Sequence, residues 1–495
     1  MKHITVYTKL LLVIGLTAVF TLTACQTNTP ATPTPLAAAT SQSSHTPVPT
    51  IEVMETAVPT STPSPTATQT TTPTPFLAVS APILSSQGQL AYIKNETLFV
   101  ETAPNSGTFT EITQFVHDGA WSSDGRKLVL FISAIPNESE FSNISVWDAD
   151  ANSLSNFGDM LSNFPPQVTL PSDGTIRNLN FENIRWSPSN SKISLTIWDS
   201  LEPGIGGVWI ADFDEASFNL EINGYSTAQS WWLDEQTILV DRHCGSPCQG
   251  LTAYNNGELL WELPWQTAGQ FVLSSNNRFL INTGRVIGRE AFASVDEVNL
   301  TTGEIKIIWQ ATEPGYFPLF PTTLSSDDNF IGFHFGGNDL WSDPGDLYII
   351  DRNGRSYGQR PKSVIVDWRP GGGPVIKETV AEGQTQLLYW PLDGTPAQVF
   401  AELGSVDFAA GKWSEDGRFF IYSTVDEAAN QSHLTLWQPE ASEPTLLTTA
   451  EGTDGFQNFA WLPDGTAVYF NFGRSELWKF EVAAGSLVLV ASATN

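Results

Sequence analysis

The chain has 495 residues, which is long enough for a large domain with a sizeable buried core. Its 23 Lys and Arg stand against 53 Asp and Glu, giving a formal net charge of -30. This charge repels phosphate backbones and anionic membrane surfaces, so nucleic acid is not an expected partner. The 17 Trp and 29 Phe favour pleated sheets over helical bundles.

The first 24 residues have the pattern of an export signal. Lys2 and Lys9 precede an apolar run that is short for a membrane-spanning helix, and residues 22–25 read Leu-Thr-Ala-Cys. This tetrapeptide resembles the bacterial lipobox, which implies cleavage before Cys25 and lipid attachment to its sulfur. We therefore expect residues 1–24 to be a lipoprotein signal peptide, with an uncleaved signal anchor as the alternative. The protein would then be lipid-anchored at a cell membrane, inner or outer, facing the extracytoplasmic or extracellular side.

Residues 25–79 follow as a stretch dominated by Thr, Pro, Ser and Ala. Such a composition cannot bury enough apolar surface to fold. We expect a lipidated cysteine followed by a disordered linker that holds the rest of the chain away from the lipid.

Cys244 and Cys248 remain once Cys25 carries lipid, and only Gly, Ser and Pro separate them. An oxidising compartment favours a disulfide between them over free thiols. His243 makes a metal site conceivable, but zinc requires four ligands and no second Cys or His pair lies nearby. We predict a disulfide, no metal and no cofactor.

From residue 80 to residue 495 a short motif recurs about every 45 residues. An apolar residue, usually Trp, is followed by a polar turn, a hydrophobic strand and a hairpin around Asp-Gly or a similar pair. The motif begins at Trp121, Trp186, Trp231, Leu273, Leu324, Trp368, Trp413 and Trp461. Four strands in each such unit are the signature of propeller blades, so the sequence predicts an all-β propeller.

The turns that read Trp-Ser-x-Asp-Gly, as at Trp121 and Trp413, resemble the TolB-type propeller repeat. That repeat also occurs in propeller domains of the prolyl oligopeptidase family. The eight motifs predict eight four-stranded blades. A hairpin from Leu98 to Thr113 suggests a ninth, with a degenerate turn after Leu84, so nine and seven blades stay as alternatives.

Several local patterns are better explained as turns than as catalytic or metal sites. Asp124, Asp416 and Asp464 recur at equivalent positions, as expected of residues that fix a turn by hydrogen bonding to backbone. Asp148 opens a calcium-like loop, but Ser153 replaces the glycine that such a loop requires. No zinc helix, phosphate loop or dinucleotide fingerprint is present. The sequence ends within a strand of the last repeat, so we expect no α/β-hydrolase domain.

Two insertions depart from the repeat length and are candidates for binding, because the scaffold does not need them. One lies between Trp121 and Trp186. The other contains Asp339, Trp341 and Asp343, where the indole could stack on a sugar or contact a peptide.

These patterns predict a non-catalytic, monomeric lipoprotein of the cell envelope whose propeller binds or scaffolds a protein, peptide or glycan. The rival interpretation is an extracytoplasmic glycan hydrolase or lyase with carboxylates at the channel mouth. Repeat spacing cannot exclude it, because propellers also carry such enzymes.

Overall fold

The computed structural model describes residues 78–133, 141–163, 167–169, 176–178, 181–197, 207–223, 227–242, 250–264, 270–283, 292–312, 320–339, 343–381, 383–404, 406–441 and 443–494. Within them, the chain forms nine antiparallel four-stranded sheets, each built from four consecutive strands. All belong to one compact unit, Thr72–Asn495. The protein is therefore an all-β propeller of four-stranded blades, as predicted.

The first four blades follow one another in chain order. Blade 1 contains β1 (Ile83–Leu84), β2 (Leu90–Lys94), β3 (Thr97–Glu101) and β4 (Phe109–Thr113). Blade 2 contains β5 (Val116–Trp121), β6 (Lys127–Ser133), β7 (Phe141–Asp148) and β8 (Ser153–Asn156). A 3-10 helix (Gly158–Asn163) and the two-stranded pair β9 (Gln167–Thr169) and β10 (Ile176–Asn178) come next. Blade 3 contains β11 (Phe181–Trp186), β12 (Lys192–Ile197), β13 (Gly207–Asp212) and β14 (Ser217–Asn223). Blade 4 contains β15 (Thr227–Trp232), β16 (Thr237–Arg242), β17 (Gly250–Asn255) and β18 (Glu258–Pro264).

The remaining five blades follow the same plan. Blade 5 contains β19 (Gln270–Leu273), β20 (Phe279–Thr283), β21 (Ser294–Asn299) and β22 (Ile305–Gln310). Blade 6 contains β23 (Phe320–Leu324), β24 (Phe330–Asp339), β25 (Asp343–Asp351) and β26 (Ser356–Pro361). Blade 7 contains β27 (Ser363–Trp368), β28 (Pro374–Ala381), β29 (Gln384–Tyr389) and β30 (Gln398–Gly404). Blade 8 contains β31 (Asp407–Trp413), β32 (Phe420–Asp426), β33 (Gln431–Trp437) and β34 (Thr445–Glu451). Blade 9 contains β35 (Phe456–Trp461), β36 (Ala467–Phe472), β37 (Glu476–Glu481) and β38 (Ser486–Ser492).

The expectation of eight blades was wrong, because the described residues form nine four-stranded blades. Blade 1 escapes the motif because Leu84 stands where most other blades have Trp, and because β1 is only two residues long. The turn that follows is closed by the Ser85 amide donating to the Gln89 carbonyl, one residue tighter than the Ser122–Lys127 turn of blade 2. The Leu98 to Thr113 hairpin was the correct hint of this extra blade.

The hydrophobic core lies between blades rather than at a single centre. Apolar clusters join every neighbouring pair of blades, including blade 9 with blade 1. In the pair formed by blades 9 and 1, for example, Leu90 packs with Tyr469 and Leu477, all of which are fully buried. Since both faces of each sheet are covered by neighbours, a middle strand such as β20 (Phe279–Thr283) is buried along its whole length.

The ring closes without a strand shared between its two ends, because blades 1 and 9 each contain four consecutive strands. Residues 78–81, which we call the strap, bridge these two blades. The Val79 amide donates to the Arg474 carbonyl (2.9 Å), and Asn471 Nδ2 donates to the Ser80 carbonyl (3.1 Å). The Ser80 amide donates to the Ile93 carbonyl (2.8 Å), so the strap holds the seam from both sides.

Candidate functional site

The two faces of the propeller carry different connections. In an antiparallel blade, the turns after the first and third strands lie at one end, and the connections after the second and fourth strands lie at the other. We call these ends the short-turn face and the long-loop face. On the long-loop face, blades 2 to 6 have extended connections, such as residues 157–180, 284–293 and 311–319.

The short-turn face is built from the recurring motif. In blade 2, the Ser122 hydroxyl donates to Asp124 Oδ1 (2.7 Å), which also accepts the Arg126 amide (3.1 Å). Although burial alone would raise it, these hydrogen bonds hold the pKa of Asp124 below its usual range. Asp416 and Asp464 accept equivalent amide hydrogen bonds, which confirms the turn-fixing role predicted for all three.

Hydrogen bonds also join turns of neighbouring blades across this face. The Asp328 carboxylate of blade 6 accepts the amide and hydroxyl of Ser275 in blade 5, at 2.7 to 3.0 Å. Further links are Ser123 to Asn190 Oδ1, Ser189 to the Glu235 carboxylate, Asn277 to the Trp232 carbonyl and Arg369 to the Gly417 carbonyl. The polar groups of this face are therefore largely committed to holding the blades together.

Motif Trp side chains add a second set of inter-blade links. Each of the following donates its indole N–H to a carbonyl of the previous blade: Trp121 to Ile83, Trp186 to Ala120, Trp232 to Arg185 and Trp461 to Lys412, at 2.8 to 3.3 Å. In blade 4, Trp232 fills this role, so the sequence-based assignment of the motif to Trp231 was one residue early. The reason is the turn after Trp232, which is one residue shorter than in blade 2.

The long-loop face carries both insertions singled out in the sequence. In the first, the 3-10 helix Gly158–Asn163 buries Met160 against blades 2 and 3. In the second, β24 and β25 form a long hairpin in which Asp339 and Asp343 are register partners. Trp341 lies outside the described residues. The structure thus places the predicted loop on this face, and its ligand role stays a prediction.

A cleft of about 510 Å³ opens on the long-loop face at the seam of the ring. The strap forms one wall, blade 2 contributes Val116 and His117, and blade 9 contributes Asn458 and Arg474. Small-molecule and peptide sites commonly have volumes of about 300–1,000 Å³. Among the described residues, this cleft is therefore a suitable place for a ligand on the long-loop face.

The polar groups of this seam cleft are partly fixed and partly exposed. Asn471 is buried and accepts a hydrogen bond from Asn458 Nδ2 (3.2 Å), so both amides are oriented. The His117 ring shares a hydrogen bond with the buried Ser133 hydroxyl. The Arg474 guanidinium is exposed and has no ion-pair partner within the described part of the chain. The cleft therefore presents amides, an imidazole, one cation and the acidic side chain of Glu96 to a ligand.

The first strands of neighbouring blades contact one another, so they lie innermost and line the central channel. Asp118 on β5 is accessible to solvent but surrounded by protein, and this desolvation raises the pKa of its carboxyl. The Gly119 amide, which donates to it at 2.7 Å, opposes that rise. Burial also raises the pKa of Asp367, although Lys412 lies 3.6 Å away and opposes it.

In the described ranges, no group of three or more His, Cys, Asp or Glu is placed to hold a metal ion. Cys25, Cys244 and Cys248 lie outside the described residues, so lipid attachment and the disulfide stay predictions. His117, Arg474 and Asn471 were missed by sequence reasoning. Their spacing carries no signal, because only closure of the ring brings the two ends of the chain together.

No helix that is long and apolar enough to span a bilayer occurs in the described part of the chain. No family model matches the sequence, and comparison with curated proteins gives no match. The TolB-type resemblance therefore stays a prediction.

Comparison with solved structures finds matches of low sequence identity. A eukaryotic initiation factor is 13% identical, covering 78% of this chain and 92% of that one, with a TM-score of 0.49. An oligogalacturonate lyase in complex with manganese is 13% identical, and the match covers 84% of this chain and 86% of that one, with a TM-score of 0.36. Prolyl oligopeptidase B from Galerina marginata is 12% identical, with a TM-score of 0.44; 84% of this chain aligns with 51% of that one. Such values do not bear on function, and the propeller assignment rests on the nine sheets themselves.

Proposed function

We propose that the protein is a lipid-anchored envelope protein whose propeller binds a protein, peptide or glycan on the long-loop face and catalyses no reaction. The extended connections of blades 2 to 6 on the long-loop face are the observation that carries this proposal. Within the described residues each face has a cleft of about 510 Å³, but only the long-loop face combines its cleft with extended connections. A rigid scaffold that presents variable loops is a common arrangement for recognition.

The anchoring part of the proposal rests on the sequence around Cys25 and on the Thr- and Pro-rich stretch that follows it. A chain bound to lipid through a long linker can search for partners around its attachment point. The net charge of -30 would keep the propeller away from anionic headgroups.

Capture from detergent-solubilised envelopes of the producing cells tests the binding site. Ala81 is exposed and lines the seam cleft, so Ala81→Trp should fill it and reduce capture of the ligand at least tenfold. Glu415, exposed on the short-turn face, provides the matched control Glu415→Trp, which should capture as the wild type does. Equal capture by all three proteins would contradict binding in the seam cleft, and a loss confined to Glu415→Trp would contradict a long-loop binding site.

The alternative, an extracytoplasmic glycan hydrolase or lyase, is favoured by one observation. Asp118 is a solvent-accessible channel carboxyl whose pKa is raised, a property that suits a general acid. Incubation with envelope polysaccharides and assay of new reducing ends tests this alternative. Turnover that is lost in Asp118→Asn would establish the enzyme and remove the non-catalytic proposal.

A further inference from the structure

A cleft of about 510 Å³ lies on the short-turn face where blade 6 meets β22 of blade 5. Blade 5 contributes Lys306 to its lining, and blade 6 contributes Asn329, Phe330, residues 351–353 and Tyr357. The short turns that border it, at residues 300–304, 325–329 and 352–355, all lie within the described residues. We call this space the blade 5–6 cleft.

The walls of the blade 5–6 cleft are fixed to each other by contacts between the two blades. Lys306 Nζ donates to the Arg352 carbonyl (3.2 Å). Arg352 Nε in turn donates to Glu297 Oε2 of blade 5 (2.8 Å), and the Arg352 guanidinium carbon lies 3.7 Å from the centroid of the Phe279 ring. These contacts hold the turn of blade 6 on blade 5, so the cleft is formed before a ligand binds, as is usual for small-molecule sites.

Positive and negative charges in this cleft balance one another. Its charged lining residues are Lys306, Asp351 and Arg352, and the charge of Arg352 is already paired within the wall. This leaves one cation and one acid. Arg355 and Asp327 contact the lining from outside and are again of opposite sign. Because binding favours complementary charge, an uncharged ligand suits this cleft better than an anion or a cation.

Several hydrogen-bonding groups of the cleft are available to a ligand. Lys306 Nζ uses one of its three donors within the described residues. Asn329 Nδ2 donates to Asp327, which leaves Asn329 Oδ1 as an acceptor. The Asn353 side-chain amide and the Tyr357 hydroxyl bond to no other group in the described part of the chain. Hydroxyls of a ligand match this mixture of donors and acceptors, because each hydroxyl both donates and accepts.

Two aromatic rings give the cleft an apolar part. Phe330 and Tyr357 are half-buried and pack edge to face, with their ring centroids 5.0 Å apart. Trp368 of blade 7 stacks on Phe330 with a centroid distance of 6.5 Å, which holds the Phe330 ring in place. The exposed parts of the two rings offer an apolar surface to the C–H groups of a ligand.

We propose that the blade 5–6 cleft binds a neutral hexose. A hexose is uncharged, carries hydroxyls that both donate and accept hydrogen bonds, and presents C–H groups on the faces of its ring. It therefore matches the charge balance, the mixed polar groups and the aromatic rings of this cleft. The cleft volume lies within the range of about 300–1,000 Å³ that is usual for small-molecule sites. The site is on the face opposite the seam cleft and does not depend on the proposed function.

Isothermal titration calorimetry of the full chain with glucose, galactose and mannose tests the site, in a buffer free of other sugars and of sugar-based detergents. At least one of these hexoses should bind saturably. The uronic acid and the amino sugar that correspond to it should bind at least tenfold more weakly, because each brings a charge into a cleft whose own charges balance.

Lys306→Met removes the ammonium group and keeps most of the stem, so it should weaken binding of that hexose at least tenfold through loss of a charged hydrogen bond. Lys362→Met is the matched control, because Lys362 is an exposed lysine at the opposite end of blade 6, and it should bind as the wild type does. Asn353→Ala provides a second variant if Lys306→Met does not fold, and it should also weaken binding.

Three results would overturn the site. Binding of none of the three hexoses would remove the hexose as the ligand. A uronic acid or amino sugar that binds at least as tightly as the neutral hexose would show that the charges of the cleft do not select an uncharged ligand. Unchanged binding in both Lys306→Met and Asn353→Ala would place the hexose elsewhere on the protein.

Discussion

Trp232 connects blade 4 to blade 3, whereas its neighbour Trp231 packs against Phe271 of blade 5. Trp232→Phe keeps an aromatic ring but removes the indole N–H, so the Arg185 carbonyl loses the hydrogen bond that this group donates. We expect a loss of about 1–2 kcal/mol in the free energy of unfolding, as for other hydrogen bonds of this kind. Urea denaturation of Trp232→Phe and Trp231→Phe measures this loss in the free energy of unfolding. If Trp231→Phe is the more destabilising of the two, Trp232 does not have the predicted inter-blade role.

The ion pair between Lys192 Nζ and Asp212 Oδ2 (2.9 Å) in blade 3 makes stability depend on pH. Burial alone would raise the pKa of Asp212, but the Lys192 hydrogen bond and the amides of Asp214 and Glu215 bring it below 3.8. A carboxyl whose pKa is lower in the folded state stabilises the fold above its unfolded pKa, and this contribution is lost as the pH falls towards the folded value.

Asp212→Asn should therefore reduce the free energy of unfolding at pH 7 by about 2 kcal/mol, the size typical of a charged hydrogen bond. The difference from the wild type should shrink as the pH falls below about 4. Denaturation curves at several pH values measure this, with the exposed Asp214→Asn as the control. If the difference in free energy of unfolding between the variant and the wild type grows below pH 4, the predicted pH dependence is wrong.

At the scale of the blade, the sequence predicts contacts between residues close together in the chain and misses contacts between residues far apart in it. The motifs at Trp121 and Trp413 predict their blades because the first strand, the turn and the second strand are contiguous in the chain. Blade 1 is obscured because Leu84 and a tighter turn replace the motif. The strap contacts blade 9 across 391 positions, from Asn471 to Ser80, and no repeat period encodes that contact.

The same limit applies to the candidate sites. Turn-fixing by Asp124 could be predicted, because its partners lie two residues away. The seam cleft could not be predicted, because it is formed by surfaces of neighbouring blades. Predicting it requires the blade order and the strand register, which composition and spacing do not specify.

The connection between β16 and β17 contains Cys244 and Cys248, for which we predict a disulfide. The bond would close a small ring and remove little chain entropy from the unfolded state. Replacing both residues with serine should therefore lower stability by at most about 3 kcal/mol and leave the blades folded. Mass spectrometry of the exported protein, alkylated without reduction, decides the pairing. Two alkylated thiols in native material would show that the disulfide is absent.

For the whole molecule, the lipobox-like sequence predicts that Cys25 attaches the protein to a membrane. Cys25→Ala should move the protein from the membrane fraction to the soluble fraction, and the propeller should remain folded because it is a separate compact unit. Fractionation followed by immunoblotting measures this. Continued membrane association of the variant, released only by detergent, would mean that another element provides the anchor.

Site-specific photo-crosslinking in intact producing cells shows most directly which face contacts the ligand. A benzophenone side chain is placed at three exposed positions on each face. The long-loop positions are His117, Glu427 and Arg474, and the short-turn positions are Thr302, Asn353 and Glu415. We predict a discrete cross-linked partner from one or more long-loop positions and none from the short-turn positions. Cross-links that form only from the short-turn face would contradict binding on the long-loop face.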